Sequence, residues 1–252
     1  MSYPELRTES WEPAFDDPAD ERLHRKRQCA LGYRAFGALG WGQLGDGHIS
    51  ARDPERLDHF WLLRYGVPFD QATVDDLVLV GPDGSVVEGR GQINITAYYI
   101  HMPVHDARPE VVSVVHTHTA YGTPWSANLT PFRAISQEAC SFVNDQSIFD
   151  GEEVNVMDYE TGKRIAEAMG ETRLCMLRNH GPLTTGGSVA EAVGFFVMAD
   201  RAAEVHVKAP EAVAISDEAA KATAQWAESP QVGWASFQYL VRTVIPDPTV
   251  VG

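Results

Sequence analysis

Along the chain the apolar positions change rhythm several times. Residues 1–18 hold three prolines and few periodic apolar positions, and read as an N-terminal arm. From Asp20 to Leu39 the residues Leu23, Ala30, Tyr33, Ala35, Phe36 and Leu39 lean to one side at helical spacing, until Gly40, Gly42, Gly45 and Gly47 break the run. Short extended pieces follow at 48–53, 60–65, 77–80 and 86–89, with Asp53-Pro54 and Pro82-Asp83-Gly84 as turns. Residues 94–107 fit a helix that Pro103 must either kink or begin. The β-branched run at 111–118 predicts a buried strand, and 173–180 predicts another that ends at Gly181-Pro182. Ser188 with Glu191 three residues on is a capping-box start for a helix reaching about Lys208. A second helical pattern begins near Ser216 and is interrupted at Ser229-Pro230. With no internal repeat and no linker, the pattern predicts one α/β domain over 19–252.

Composition narrows the class. Twenty Lys and Arg against 35 Asp and Glu give a net charge of −15, and nine protonated histidines would still leave the chain negative. That balance argues against nucleic acid and anionic membrane as partners, since both select for basic residues. No apolar run approaches the ~18–20 residues of a membrane span. The polar, acidic N-terminus lacks the features of a signal peptide, so a cytoplasmic location is expected. Cys29, Cys140 and Cys175 are odd in number and widely spaced, which fits small buried thiols and not a disulfide framework.

The chemistry concentrates in histidines. His116 and His118 stand at i and i+2 at the end of a strand, so both imidazoles point to one face while Thr117 points to the other. His180, beside a glycine that permits a sharp turn, ends the second strand. If those strands are neighbours, three imidazoles meet at one rim. Three nitrogens with open positions describe a catalytic metal site, whereas structural sites are closed by four ligands. On spacing alone His116 and His118 read equally as two ordinary strand-end histidines, and His180 alone reads better as a turn residue.

Together these elements resemble the class II aldolase/adducin family over about residues 25–210. The pattern runs through Gly47-His48-Ile49-Ser50-Ala51-Arg52-Asp53-Pro54, Phe60-Trp61, Tyr65-Gly66-Val67, Val86-Val87-Glu88-Gly89, Ile100-His101 and Ala107-Arg108-Pro109. It ends with His116-Thr117-His118 and Arg178-Asn179-His180-Gly181. The resemblance implies a three-layer α/β/α sandwich around a mainly antiparallel sheet, and a homotetramer with active sites between subunits. It also implies one divalent metal ion per subunit on His116, His118 and His180, with zinc the first choice and iron, manganese or cobalt the others.

Departures from the family pattern shape the expected reaction. The Ser-Ser-Glu stretch of the sugar-phosphate aldolases, whose Glu serves as ligand and acid/base, falls here on Ile95-Thr96-Ala97. In the phosphate loop His48 replaces the usual Asn, and Arg64 falls in the usual Thr-Gly turn. His48 is expected to contact substrate and Arg64 to clamp a carboxylate, although Arg64 also reads as a surface arginine. Tyr121 is expected either in the core or as a phenol donor to the substrate. Gln137 and Glu138 fall where a neighbouring subunit contributes a catalytic tyrosine in the aldolases, and Glu138 is a candidate for the missing acid. His101 and His105 are expected in core contacts or beside Arg108, while His24, His59 and His206 are expected at the surface. Trp226, Trp234, Phe237 and Tyr239 either cover a neighbour's site or pack. The function expected is a metal-dependent carbon–carbon lyase, a decarboxylase of an unphosphorylated aromatic or oxo/hydroxy acid. A non-haem iron oxygenase, a retro-aldolase and a non-enzymatic adducin-like scaffold stay open as alternatives.

Overall fold

Asp17 starts the first helix. Its side chain accepts the N–H of Ala19, and Pro18 takes the first helical position, where a missing N–H costs nothing. The computed structural model describes residues 11–252. Of the arm expected at 1–18, residues 1–10 lie outside the described residues. Trp11 packs edge-on against Trp234, and Glu12 accepts from Gln28.

The elements in chain order are α1 (Pro18–Ala38), β1 (Gly47–Arg52), β2 (Phe60–Leu63), β3 (Leu77–Val80), β4 (Val86–Glu88), α2 (Ile95–Ala107) and β5 (Ser113–Thr117). Then come α3 (Gly122–Ser126), α4 (Gln137–Cys140), β6 (Gln146–Phe149), α5 (Tyr159–Met169), β7 (Leu174–Leu177) and β8 (Gly181–Gly186). The chain closes with α6 (Val189–Lys208), α7 (Asp217–Ala227) and α8 (Pro230–Val244). The strands form one sheet in the order β4-β3-β2-β1-β5-β8-β7-β6, antiparallel throughout except for the β6–β7 pair.

The alternation along each strand divides the core into two. Trp61, Leu63, Leu77, Leu79 and Val115 face α1, α6 and α8, while Phe60, Leu62, Val78, Val80 and Val114 face the α2 and α5 side. Leu174 and Met176 meet Phe195 of α6, whereas Cys175 and Leu177 meet Ile100 and Ile165. Helices therefore cover both faces of the sheet, and the expected α/β/α sandwich around a mainly antiparallel sheet is what the chain forms. Each fully buried large apolar side chain in these clusters contributes about 1.5–3 kcal/mol relative to exposure.

Pro103 lies inside α2 without ending it. Having no N–H, it frees the carbonyl of Tyr99, and α5 closes on that point through Gly162, where a Cβ would stand 1.9 Å from the Tyr99 oxygen. The capping box at Ser188 forms in half. Ser188 Oγ accepts from Glu191 N, but the Glu191 carboxylate accepts from Gly187 N in place of the cap residue's own N–H.

Three elements differ from expectation. The second strand does not simply end at Gly181-Pro182, because β8 begins there. The turn-like composition Gly-Pro-Leu-Thr-Thr-Gly becomes a strand through its place between β5 and β7. Helix α5 buries Thr161, Gly162, Ile165, Ala166 and Met169 and exposes Glu160, Lys163, Arg164 and Glu167, an amphipathic period that the expected elements did not include. Short β6 was likewise not among them. All three cysteines are free and buried, as expected. His206 is not a surface residue. It is buried against Trp125 and Phe132, donates from Nδ1 to the Ala202 carbonyl and accepts from Arg133 N.

Candidate metal centre

Strands β1 and β5 run side by side with His48 opposite His116. At Gly47 a Cβ would lie 2.4 Å from the Thr117 side chain, so only glycine lets the strands approach this closely there. His116 shares the α2 side with Val114, and His118 follows two residues on. His180 arrives by a route other than the one expected. Strand β7 is not a neighbour of β5; β8 lies between them, and His180 sits in the β7–β8 turn. Asn179 turns the chain there with φ 53°, and His180 N donates to the Leu177 carbonyl. Because β8 pairs with β5, with His116 opposite Leu183, the turn delivers His180 to the same rim.

The three rings meet. Their centroids are 5.3 Å (His116–His118), 4.5 Å (His116–His180) and 4.9 Å (His118–His180) apart. One ring nitrogen from each lies within 4.8 Å of the others. His116 Nδ1 donates to the Pro182 carbonyl at 2.9 Å, which fixes the tautomer and leaves Nε2 bare. His118 Nδ1 faces Asp46 Oδ2 at 3.5 Å, and the Asp46 carbonyl accepts from Thr117 Oγ1. Burial, followed by the neighbouring His180, His48 and His118, holds His116 well below the usual histidine range. Burial and then His118 push His180 down to about 4. Neutral imidazoles are the ligating form. The His118 side chain is 41 % exposed, so the rim is open on one side.

This donor set fits a divalent ion: three imidazoles, one with its outer nitrogen anchored to a carbonyl and one facing a carboxylate, and room for further ligands. No carboxylate stands at position 97. Ala97 is fully buried among Phe60, Leu62, Val78 and Val80.

Behind the rim lies a buried histidine stack. His48, 3 % exposed, has its ring centroid 5.1 Å from that of His116, and its Nδ1 is 2.7 Å from His101 Nε2. His105, pushed down to about 3 mainly by burial, bonds Ser50 Oγ through Nε2 at 2.9 Å and stacks on Phe60. Both α2 histidines are thus core contacts, as one of the two expectations held. Arg108 instead holds Glu110 and the Thr172 carbonyl.

Arg64 is not a free clamp, because its Nη2 and Nε hold Asp76 Oδ1 at 2.7 and 3.1 Å. The Tyr121 ring packs with the cluster around Trp125 and Phe142, with the Lys208 ammonium over its face. Gln137 and Glu138 open α4 beside a groove of about 390 Å³ that Arg201, Trp226 and Tyr239 also line. Phe237 is buried and Trp234 packs on the core, while Trp226 and Tyr239 are exposed. Sequence reasoning missed Asp46, the Pro182 carbonyl and the hydrogen bond between His48 and His101. Asp46 lies in a glycine-rich loop with no periodicity, and only the β1–β5 pairing brings it to His118.

Comparison with known proteins gives the same outline. The family model "Class II Aldolase and Adducin N-terminal domain" matches residues 27–207. A "4-hydroxy-3-prenylphenylpyruvate oxygenase/4-hydroxy-3-prenylbenzoate synthase" of Streptomyces roseochromogenus subsp. oscitans is 35% identical over 90% of this chain and 84% of its own length. "Decarboxylase NovR" of Streptomyces niveus is also 35% identical, over 90% of this chain and 86% of its own. Among solved structures, the L-fuculose 1-phosphate aldolase from Glaciozyma antarctica PI12 superposes with a TM-score of 0.85 at 29% identity, covering 92% of this chain and 93% of the other.

Proposed function

Starting from the fact that the chain belongs to the class II aldolase and adducin family, we propose that it is a metal-dependent carbon–carbon lyase. The reaction proposed is decarboxylation of an unphosphorylated aromatic or oxo/hydroxy acid. The observation that carries this reading is the triad of converging imidazoles on His116, His118 and His180, open on one side and without a carboxylate at position 97. A divalent ion there supplies bidentate binding of a 2-oxo or 2-hydroxy carboxylate and stabilises the charge released when a carbon–carbon bond breaks. Zinc comes first, and three imidazoles with open positions also suit iron, manganese or cobalt. Decarboxylation needs no base to remove a proton first, so it fits a site that lacks the aldolase Glu. His48 stands beside the triad as the residue that meets substrate. Arg64 would serve only by leaving Asp76. Gln137 and Glu138 would serve a neighbouring subunit's triad, in keeping with a homotetramer, and Tyr121, just past His118, would donate its phenol to the substrate. Among the described residues no helix is long and apolar enough to cross a membrane.

A second reading has equal support among relatives, one of which is named an oxygenase at the same identity as the decarboxylase. It places iron and dioxygen at the same triad. The test is a panel of dihydroxybenzene-dicarboxylates, oxo acids and fuculose-, rhamnulose- and ribulose-phosphates, assayed with zinc, manganese or iron, with and without oxygen. Carbon dioxide release independent of oxygen is expected. Turnover that stops without oxygen moves the assignment to the oxygenase. Efficient cleavage of a sugar phosphate overturns the decarboxylase reading, and failure to bind any divalent metal overturns both enzyme readings in favour of a scaffold.

A further inference from the structure

The hydrogen bond between His48 and His101 determines more than packing. His101 is fully buried on α2, and its Nδ1 has no hydrogen-bond partner. Its Nε2 lies 2.7 Å from His48 Nδ1. A neutral imidazole has one N–H and one bare nitrogen, so one ring donates in this bond and the other accepts. If His101 accepted, its proton would sit on Nδ1 as a buried N–H with no acceptor, which proteins tolerate less well than an unpaired acceptor. If His101 donates from Nε2, the orphan is a bare nitrogen. His48 Nδ1 is then the acceptor, and His48 must carry its own proton on Nε2.

We propose that His101 is a positioning residue that fixes His48 as its Nε2–H tautomer, so that His48 offers an N–H to a carboxylate oxygen of a ligand held at the triad. The inference rests on the carboxylate-lyase reading for the ligand, while the tautomer rests on the buried pair alone. It has a second consequence. An Nε2–H nitrogen cannot ligate a metal, so His48, although its ring centroid is only 5.1 Å from that of His116, stays out of the ligand set. The three nitrogens that gather within 4.8 Å are those of His116, His118 and His180. His48 would hold the substrate and leave the metal to the other three.

Two measurements test this on the zinc-loaded protein. Neutron diffraction from deuterium-exchanged crystals should place deuterons on Nε2 of both His101 and His48. A deuteron on His48 Nδ1, or zinc bound to His48, overturns the proposal and leaves the proposed reaction untouched. Calorimetric titration with phenylpyruvate should show binding about ten- to a hundred-fold weaker in His48→Phe, the loss expected for a hydrogen bond to a charged group. Zinc stoichiometry should not change. His48→Gln, whose amide can donate, should recover part of the loss. His101→Met should weaken binding and His101→Gln should restore it, a split that mere filling of the core would not produce. Unchanged phenylpyruvate binding in zinc-loaded His48→Phe overturns the donor role. If the native zinc protein binds no phenylpyruvate while the deuteron is on His48 Nε2, the substrate reading fails and the tautomer stands.

Discussion

The buried histidines should make the metal-free fold acid-labile well above the range where carboxylates titrate. His105 is pushed down to about 3 and His180 to about 4, and His48, His101 and His116 are held well below the ordinary 6.5, in each case with burial as the largest cause. An unfolded chain protonates these rings near 6.5 and the folded chain does not, so below that pH the unfolded state binds more protons. Stability is therefore full above 6.5 and falls as the pH drops towards the folded values. Each ring removes about 1.4 kcal/mol per pH unit once the pH is below 6.5. Between pH 7 and 5 that is about 2 kcal/mol per ring, so His105 and His180 together would remove about 4 kcal/mol, and His48, His101 and His116 add to the loss in the same direction. Against a domain's whole stability of ~5–15 kcal/mol that is a large share, so marginal stability near pH 5 is expected. Urea melts of the metal-free protein at half-unit intervals from pH 7.5 to 5, with the m-value checked for constancy, measure the slope. His105→Leu gives the internal control: it starts less stable, since Ser50 loses one of its partners, but its slope should be shallower by about 1.4 kcal/mol per unit. A total loss under about 2 kcal/mol over this range, or a His105→Leu slope equal to the parent's, would refute the argument.

Other expectations are simpler to state. Asp46→Asn, which removes the carboxylate facing His118, should weaken zinc binding about 10- to 100-fold in a competitive chelator titration without moving the thermal midpoint of the metal-free protein. Ala97→Glu should not create a sugar-phosphate aldolase. It buries a carboxyl among Phe60, Leu62, Val78 and Val80, and should cost at least about 2 kcal/mol in a urea melt, with no retro-aldol turnover of fuculose 1-phosphate. Light scattering at micromolar concentration should report a homo-oligomer of tetrameric mass, and a monomer would remove Gln137 and Glu138 from any neighbour's site.

What the sequence disclosed, and what it withheld, follows from where each signal resides. The i, i+2 spacing of His116 and His118 is a local property of a strand, so their common face could be read directly. His180 was legible as a turn residue, but its approach was not, because Gly181-Pro182 reads as a terminator and becomes the start of a strand only between β5 and β7. Helix α5 was legible too, since Ile165, Ala166 and Met169 are buried at helical spacing with Lys163, Arg164 and Glu167 opposite, although it was not among the expected elements. Pairwise polar contacts were the least legible. Nothing local joins Arg64 to Asp76, His206 to the amide of Arg133, or Asp46 to His118. Each is set by neighbours that pairing and packing choose.

Helix α2 links these departures. Ala97, His101 and His105 follow one another at four-residue steps, so they form one stripe against the sheet. Ala97 fits the apolar cluster at Phe60 and Leu62, His101 takes His48, and His105 takes Ser50 and stacks on Phe60. Position 48 is the one that the resemblance places in the phosphate loop, and here His48 and Ser50 both direct hydrogen bonds inward to this stripe. Ser50 Oγ is occupied by His105 and by the backbone of Val114. The substitution at 97, the histidine at 48 and the two histidines on α2 are thus one coupled change in packing. Restoring a single member, an asparagine at 48 or a carboxylate at 97, would leave buried nitrogens without partners or a buried acid without a cation. The packing beneath the rim therefore rests on the stripe as a whole, and the proposed role of His48 depends on it.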